Sequence, residues 1–175
     1  MYAGHLGIAL GAKGLRASIP LWVLVVAAQL PDWADAGFCI AGVRSAVPGM
    51  YTHSFAAVAV LSGLAAAMYF GTSRDRIGAA TVGAVVLTHV LGDYITGIKP
   101  TWAGGPLIGL GIYDNPPVDF VVEAIVILAG WFIYRKSIAE PRRNSLPVNL
   151  IPVALLLFQL AAVIAFSISP PLRKC

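Results

Sequence analysis

Charged residues are scarce in this sequence, and their scarcity limits the kind of protein it can encode. They make up 11% of the 175 residues, whereas hydrophobic residues make up 58%. A soluble domain usually carries about 25% charged residues. The composition therefore predicts an integral membrane protein of one domain. Nucleic acid is a poor partner for it, because no basic stripe is interleaved with aromatic residues.

Cysteine is also scarce. Cys39 and Cys175 lie far apart in the chain and have no metal-ligand spacing. We therefore expect two free thiols and no disulfide framework. The N-terminal segment has no basic stretch ahead of its apolar residues and contains His5. We accordingly expect no cleaved signal peptide.

Apolar stretches of helical length, by contrast, fill the chain. Helices are required, because lipid offers no hydrogen-bond partner to an open strand edge. Two stretches are too short to cross about 30 Å of hydrocarbon, and the second ends at Pro31. The sequence predicts an all-α membrane bundle of five to six helices, with the first two short. The short stretches are residues 2–15 and 19–30, and the longer ones are residues 54–71, 77–91 (running on to about 94), 118–134 and 148–168.

The whole chain, residues 1–175, is predicted to be a single membrane domain. Residues 1–100 carry the polar motifs, residues 101–117 form an outer loop or lid, and residues 118–175 supply two further transmembrane helices.

Basic residues predict the orientation, since cytoplasmic loops carry the excess of Lys and Arg. With six segments, eight basic residues fall on one side and four on the other. The first side is therefore expected to be cytoplasmic, in a prokaryotic inner or cell membrane. The larger set is Lys13, Arg16, Arg74, Arg76, Arg135, Lys136, Arg142 and Arg143, and the smaller set is Arg44, Lys99, Arg173 and Lys174.

Most other ionisable residues fall on the second, outer side, at the ends of different segments. An ionisable group near lipid costs several kcal/mol unless it is paired or functional. Segment ends that carry such groups can pair them with one another if the ends surround one cavity. His89 and Asp93 share one helical face, because they lie four residues apart. The outer set is His5, Asp32, Asp35, His53, His89, Asp93, Asp114, Asp119 and Glu123.

Imidazole and carboxylate together suit zinc, manganese or iron(II). Three histidines with three or four aspartates exceed the needs of one tetrahedral zinc and suit a two-metal site with room for water. Taken singly, each residue also has an ordinary structural explanation. Asp32 can cap a turn after Pro31, and Asp93 can pair with Lys99. Their placement on one side together favours a metal or catalytic site.

Four short motifs occur in order along the first hundred residues: "GH" at 4–5, "LPD" at 30–32, "THS" at 52–54 and "HVLGDYIT" at 89–96. In order and approximate spacing they resemble the YdjM-like family of membrane-bound, metal-dependent hydrolases. The family is distantly similar to zinc-dependent phospholipase C, which acts on phosphoesters. The resemblance implies a hydrolase whose metal ligands are His5, Asp32, His53, His89 and Asp93.

The chain departs from the family pattern at two places. The family often has PDxD, but here the second carboxylate, Asp35, comes one position later in "PDWAD". The family often has HRGxTHS, but "PGMYTHS" lacks the first His and the Arg. Arg44 is a candidate for the missing cation.

We predict a membrane-embedded metal-dependent hydrolase that acts on a lipid-linked substrate at the outer face, with a phosphoester favoured. The cofactor is a divalent metal, Zn²⁺ or Mn²⁺, with one or two ions activating water. Asp35 and Glu123 are the candidate catalytic residues, each as a general base or as a group that orients an imidazole. Membrane lipid is expected as both substrate and solvent, and the sequence does not identify any protein partner.

Two other functions fit the same residues. A metal-ion or proton-coupled transporter would also bury His and Asp between helices. A structural or assembly protein could use the polar cluster only to tie helix ends together.

Overall fold

The structure, a computed structural model, describes residues 3–168 and contains six α-helices in that range. Five of them, α2–α6, are long and apolar enough to cross a membrane. The prediction of an all-α membrane bundle is confirmed. The helices are α1 (Gly4–Leu15), α2 (Leu21–Ile40), α3 (Phe55–Ser73), α4 (Arg76–Thr96), α5 (Pro116–Ser137) and α6 (Leu146–Ile168).

Four residues used in the sequence predictions lie outside the described range: Tyr2, Arg173, Lys174 and Cys175. Cys39 is disulfide-bonded, so the expectation of a free thiol there is wrong. Spacing along the chain carries no information about which thiols the fold brings together.

Helix α2 is longer than its sequence indicates. It continues through Pro31 to Ile40, so the prediction of a short second helix is wrong, whereas α1, with 12 residues, is short as predicted. Proline removes one backbone hydrogen bond from a helix but does not always end it, because neighbouring groups in a membrane protein can satisfy the freed carbonyl. Asp32 and Asp35 therefore lie on α2 itself, three residues apart and near one face.

Glycines allow α1 and α5 to pack backbone to backbone. A Cβ atom added to Gly130 of α5 would lie 1.9 Å from the carbonyl oxygen of Gly7, and one added to Gly7 would lie 2.7 Å from Cα of Ile127. Small residues are the usual device for such close packing in membranes. This contact fixes α1, and with it His5, against α5.

An apolar core lies between α1, α2, α3 and α4. Its members include Ala9, Leu24, Val58 and Val86, all of them buried. Exposed Leu64, by contrast, lies on the outer surface of α3, where a lipid-facing helix carries apolar side chains. The core therefore holds the four helices together below the end that carries the histidines.

A small hairpin closes the space between α4 and α5. Strand β1 (Lys99–Pro100) pairs with β2 (Leu107–Ile108) in antiparallel register. Thr101 O accepts a hydrogen bond from Phe55 N at the start of α3. Gly109 has φ 144°, and a Cβ there would lie 1.9 Å from Gly97 O. Part of the segment predicted as an outer loop or lid is thus a hairpin anchored to α3 and to the end of α4.

Candidate metal centre

The structure brings all five predicted metal ligands together at one end of the bundle. His5 Nε2 lies 3.4 Å from Asp93 Oδ1, and His89 Nε2 lies 3.4 Å from Asp93 Oδ2. His53 Nε2 lies 3.1 Å from Asp32 Oδ1 and 3.3 Å from Asp93 Oδ2. Two groups have ligand atoms within 4.8 Å of one another: His5, His89 and Asp93, and Asp32, His53 and His89.

Four different elements supply these side chains. His5 lies in the first turn of α1, and its ring stacks on that of His89 with centroids 3.8 Å apart. His89 and Asp93 lie one turn apart on α4, as their spacing predicted. His53 precedes α3 in a tight turn in which its N–H donates to Gly49 O over 2.7 Å. Gly49 has φ 76°, a conformation that favours glycine.

A backbone carbonyl sets the protonation of His89. Its Nδ1 lies 2.9 Å from Ala28 O, and a carbonyl can only accept, so Nδ1 carries a hydrogen and Nε2 is the nitrogen that faces Asp32 and Asp93. Pro31 has no N–H to donate to the carbonyl of Ala27, so the helical ladder of α2 is interrupted beside this contact. Metal-ligating histidines commonly hold their second nitrogen in this way.

A hydroxyl sets the protonation of His53. Thr52 Oγ1 donates to Asp35 Oδ1 over 2.8 Å and lies 2.7 Å from His53 Nδ1. A hydroxyl has one proton, and a carboxylate can only accept, so Thr52 accepts from Nδ1–H of His53. His53 Nε2 is then the ring nitrogen that faces Asp32 and Asp93. Asp35 thus reaches His53 through Thr52 rather than directly.

Glu123 lies against the start of α1 rather than among the metal ligands. Its side chain is fully buried, and Oε2 accepts a hydrogen bond of 2.8 Å from Gly4 N. A helix N-terminus has unpaired N–H groups and a partial positive charge, both of which a carboxylate satisfies. Glu123 therefore supports the turn that carries His5.

Asp119 and Gln159 extend this support to α6. Gln159 Nε2 donates to Asp119 Oδ2 over 3.4 Å, and Gln159 Oε1 accepts from Ala3 N over 3.2 Å. Gln159 was not among the predicted site residues, although an amide in the middle of a long apolar helix is a signal of an interhelical contact.

Three buried nitrogens in the cluster make no hydrogen bond among the described residues, although two of them lie 3.4 Å from an Asp93 oxygen. His5 Nδ1, His5 Nε2 and His89 Nε2 are buried and make no hydrogen bond there, although buried polar atoms are nearly always bonded. Burial lowers the pKa of His5 to about 4, even though the Asp93 carboxylate acts in the opposite direction. The His5 imidazole is therefore neutral at pH 7, the form in which it can ligate a metal. The donor set fits a divalent cation such as zinc or manganese.

Two side chains mark the opening of the cluster. The side chains of His5, His53, His89 and Asp93 are at most 4% exposed, whereas that of Asp32 is 31% exposed. Lys99, on β1, is 23% exposed, and its Nζ lies 3.3 Å from Asp93 Oδ2. The sequence suggested Lys99 only as an ion-pair partner of Asp93. In the structure it also lies at the entrance to the cluster.

A cavity of about 140 Å³ lies on the other side of Asp35. Phe38, Arg44 and Tyr51 line it together with Asp35. The sequence analysis named Arg44 as a candidate cation, and the structure places it in this cavity.

No protein-family model, curated protein or solved structure matches the chain.

Proposed function

We propose that this protein is a metal-dependent hydrolase embedded in the membrane, and that it cleaves a lipid-linked phosphoester at the extracytoplasmic face. One observation carries the proposal. Three imidazoles and two carboxylates face one another in a nearly closed site. Nδ1 of His89 contacts a backbone carbonyl, and its Nε2 points at the two carboxylates. Buried ionisable groups in a membrane bundle are by default a functional-site hypothesis.

His5, Asp32, His53, His89 and Asp93 would hold the metal. Asp93 can serve two ions, since Oδ1 lies beside His5 while Oδ2 lies beside His53 and His89. When bound, the metal lowers the pKa of a water ligand to about 7 and so provides hydroxide at neutral pH.

The other residues act by positioning and by limiting access. Thr52 and Asp35 hold His53 with a hydrogen on Nδ1, and Ala28 O does the same for His89, so that each ring presents Nε2 to the carboxylates. Glu123 holds the turn that carries His5. Of the two candidate catalytic carboxylates, Asp35 therefore fits the role of orienting an imidazole, and Glu123 that of holding the helix start that carries one. The burial of the three histidines restricts water to the side of Asp32.

The location of the site supports a lipid substrate. The cluster lies at one end of helices that can span a membrane, and the partly exposed Asp32 gives access to it. The cluster lies at the end of the bundle opposite to the end that carries more Lys and Arg. Because cytoplasmic loops carry the excess of basic residues, this arrangement favours an extracytoplasmic site. The four motifs that resemble the YdjM-like family contribute all five ligands.

A transporter is less well supported by the arrangement. A carrier needs polar groups along a path to both faces. Among residues 3–168, the core beneath the cluster is apolar and includes Ala9, Leu24, Val58 and Val86.

Metal content tests the proposal. The detergent-purified protein should contain near-stoichiometric zinc or manganese by plasma mass spectrometry. A variant with His89→Ala and Asp93→Ala should lose it, while the control Glu140→Gln, at an exposed position of the opposite end, should retain it. Absence of metal in the parent protein, even after incubation with both ions, would overturn the proposal.

Substrate screening follows if metal is bound. The loaded protein should release product from phospholipid vesicles, and the double variant should not. Metal binding without hydrolysis of any phosphoester or acyl ester, combined with ion flux into vesicles containing the protein, would favour the transporter instead.

A further inference from the structure

Lys99 is a cation placed beside the candidate metal ligands. Its Nζ lies 3.3 Å from Asp93 Oδ2, the same oxygen that faces His53 Nε2 at 3.3 Å and His89 Nε2 at 3.4 Å. The Lys99 side chain is partly exposed, whereas Asp93 is buried. The ammonium group therefore lies between the buried carboxylate and the entrance.

The hairpin holds the backbone of Lys99 in place. Lys99 pairs with Ile108 across the two strands, and the next residue, Pro100, accepts a hydrogen bond of 2.7 Å from the Tyr94 hydroxyl on α4. Leu110 N also donates to Tyr94 O over 2.9 Å. Lys99 can change its side-chain conformation, but its backbone stays beside the end of α4.

Metal binding changes the electrostatic environment of the Lys99 ammonium group. A divalent ion bound to Asp93 shares the charge of the carboxylate and repels the ammonium group nearby. Because the hairpin prevents Lys99 from leaving, its charge is best compensated by a second anion that reaches the entrance. A phosphate oxygen is such an anion, and lysine binds phosphate as a point charge.

We propose that Lys99 is the substrate-binding cation, and that the substrate therefore carries a negatively charged phosphate at the scissile group rather than a neutral acyl ester. The inference rests on the proposed function and specifies its substrate class. In the loaded site, Lys99 binds a non-bridging phosphate oxygen at the entrance, beside the position of the metal. The ammonium group also stabilises the negative charge that builds up during attack on phosphorus.

Phosphate binding by the metal-loaded protein tests this role without relying on turnover. Inorganic phosphate is titrated into the parent protein, Lys99→Met, Lys99→Arg and the control Lys136→Met by calorimetry, with metal content measured on each sample. Lys136 is a suitable control because its Nζ lies over the Phe132 ring near the other end of α5. We expect Lys99→Met to keep its metal and lose about tenfold or more in phosphate affinity, an effect of the size usual for a charge-assisted contact. Lys99→Arg should recover part of the loss, and Lys136→Met should bind as the parent does.

Vesicles distinguish a lipid head group from free phosphate as the source of the anion. Binding to vesicles of phosphatidylglycerol in phosphatidylcholine should exceed binding to pure phosphatidylcholine, and the excess should disappear in Lys99→Met. Phosphate binding without this excess would indicate that the anion bound by Lys99 belongs to a soluble phosphate compound.

The outcomes separate the inference from the proposed function. A metal-loaded parent that binds no phosphate, or a Lys99→Met variant that binds it equally well, overturns the role of Lys99 and leaves the metal centre intact. Loss of metal in Lys99→Met, with Lys99→Arg unable to restore it, shows a structural role and overturns the inference as well. A parent protein that binds no metal overturns the proposed function itself.

Discussion

The hydroxyl oxygen of Thr52 lies 2.7 Å from Nδ1 of the adjacent His53. Asp35 accepts the hydroxyl proton of Thr52, so Nδ1 of the imidazole carries a hydrogen. The opposite nitrogen, Nε2, lies 3.1 Å from Asp32. Contacts at both nitrogens fix the rotation of the ring as well as its tautomer. A threonine that looks in the sequence like part of an ordinary helix start therefore positions a candidate metal ligand.

Replacement of Thr52 by valine should weaken metal binding while preserving the shape of the side chain. Outer contacts to a ligating histidine typically contribute about 10- to 100-fold in metal affinity, so we expect a loss of that size in competition with a chelator. Thr52→Ser keeps the hydroxyl and should stay close to the parent protein. Equal affinity in the valine variant would show that the Asp35–Thr52–His53 contacts do not support the metal.

Replacement of Gly130 by alanine should separate α1 from α5. The added Cβ would lie 1.9 Å from Gly7 O, so one backbone must move, and His5 moves with α1. We expect a lower melting temperature and weaker metal binding, both measured on detergent-purified protein. Gly63→Ala is the matched control, because a Cβ there meets nothing within 4 Å, and it should change neither quantity appreciably. Parent-like metal binding in Gly130→Ala would mean that the position of α1 is unimportant for the site.

Substitutions of Glu123 distinguish support of α1 from proton transfer. Glu123→Gln keeps an oxygen that can accept from Gly4 N, whereas Glu123→Leu leaves that buried N–H unpaired, at a cost of about 1–3 kcal/mol. We expect Glu123→Leu to lower the free energy of unfolding by roughly this amount and Glu123→Gln to lower it less. If Glu123 were instead a general base, Glu123→Gln would abolish hydrolysis with little change in the free energy of unfolding. Measuring unfolding and turnover on the same variants decides between the two roles.

Reporter fusions test the orientation. A reporter placed after Arg143 should give a cytoplasmic signal, and one placed within residues 98–112 should give an extracytoplasmic signal. Eight basic residues lie in or beside the helix ends that are expected to be cytoplasmic, and Arg16 contacts Asp75 there with 3.5 Å between Nη2 and Oδ2. The reverse pattern would place the candidate metal centre at the cytoplasmic face.

The long apolar helices were predictable because lipid leaves the backbone no alternative. Predicted segments 54–71 and 148–168 differ from α3 and α6 by only a few residues. The end of α2 was not predictable in this way, because proline usually ends a helix in water and Pro31 does not end this one. What the carbonyls of α2 bind depends on a neighbouring helix, as the contact between Ala28 and His89 shows.

The His/Asp cluster was predictable for a different reason. Charged and imidazole side chains are costly in lipid, so their positions at the ends of several segments already implied a common cavity. The roles of Thr52 and Lys99 could not be inferred, because they depend on which side chains face each other across turns and strands. Asp35 illustrates the limit, since its importance was predicted but its route to His53 through a hydroxyl was not.

His89 belongs to both groups of ligand atoms, yet its Nδ1 is occupied by Ala28 O and only Nε2 remains. One lone pair can coordinate one ion, so two ions cannot have equivalent ligand sets. The ion that takes His89 would have two imidazole ligands and would bind first and more tightly, whereas the second ion would have one imidazole and rely more on carboxylate and water. Loading of the apoprotein would then be stepwise, with the first equivalent resistant to dialysis and the second in exchange with the medium.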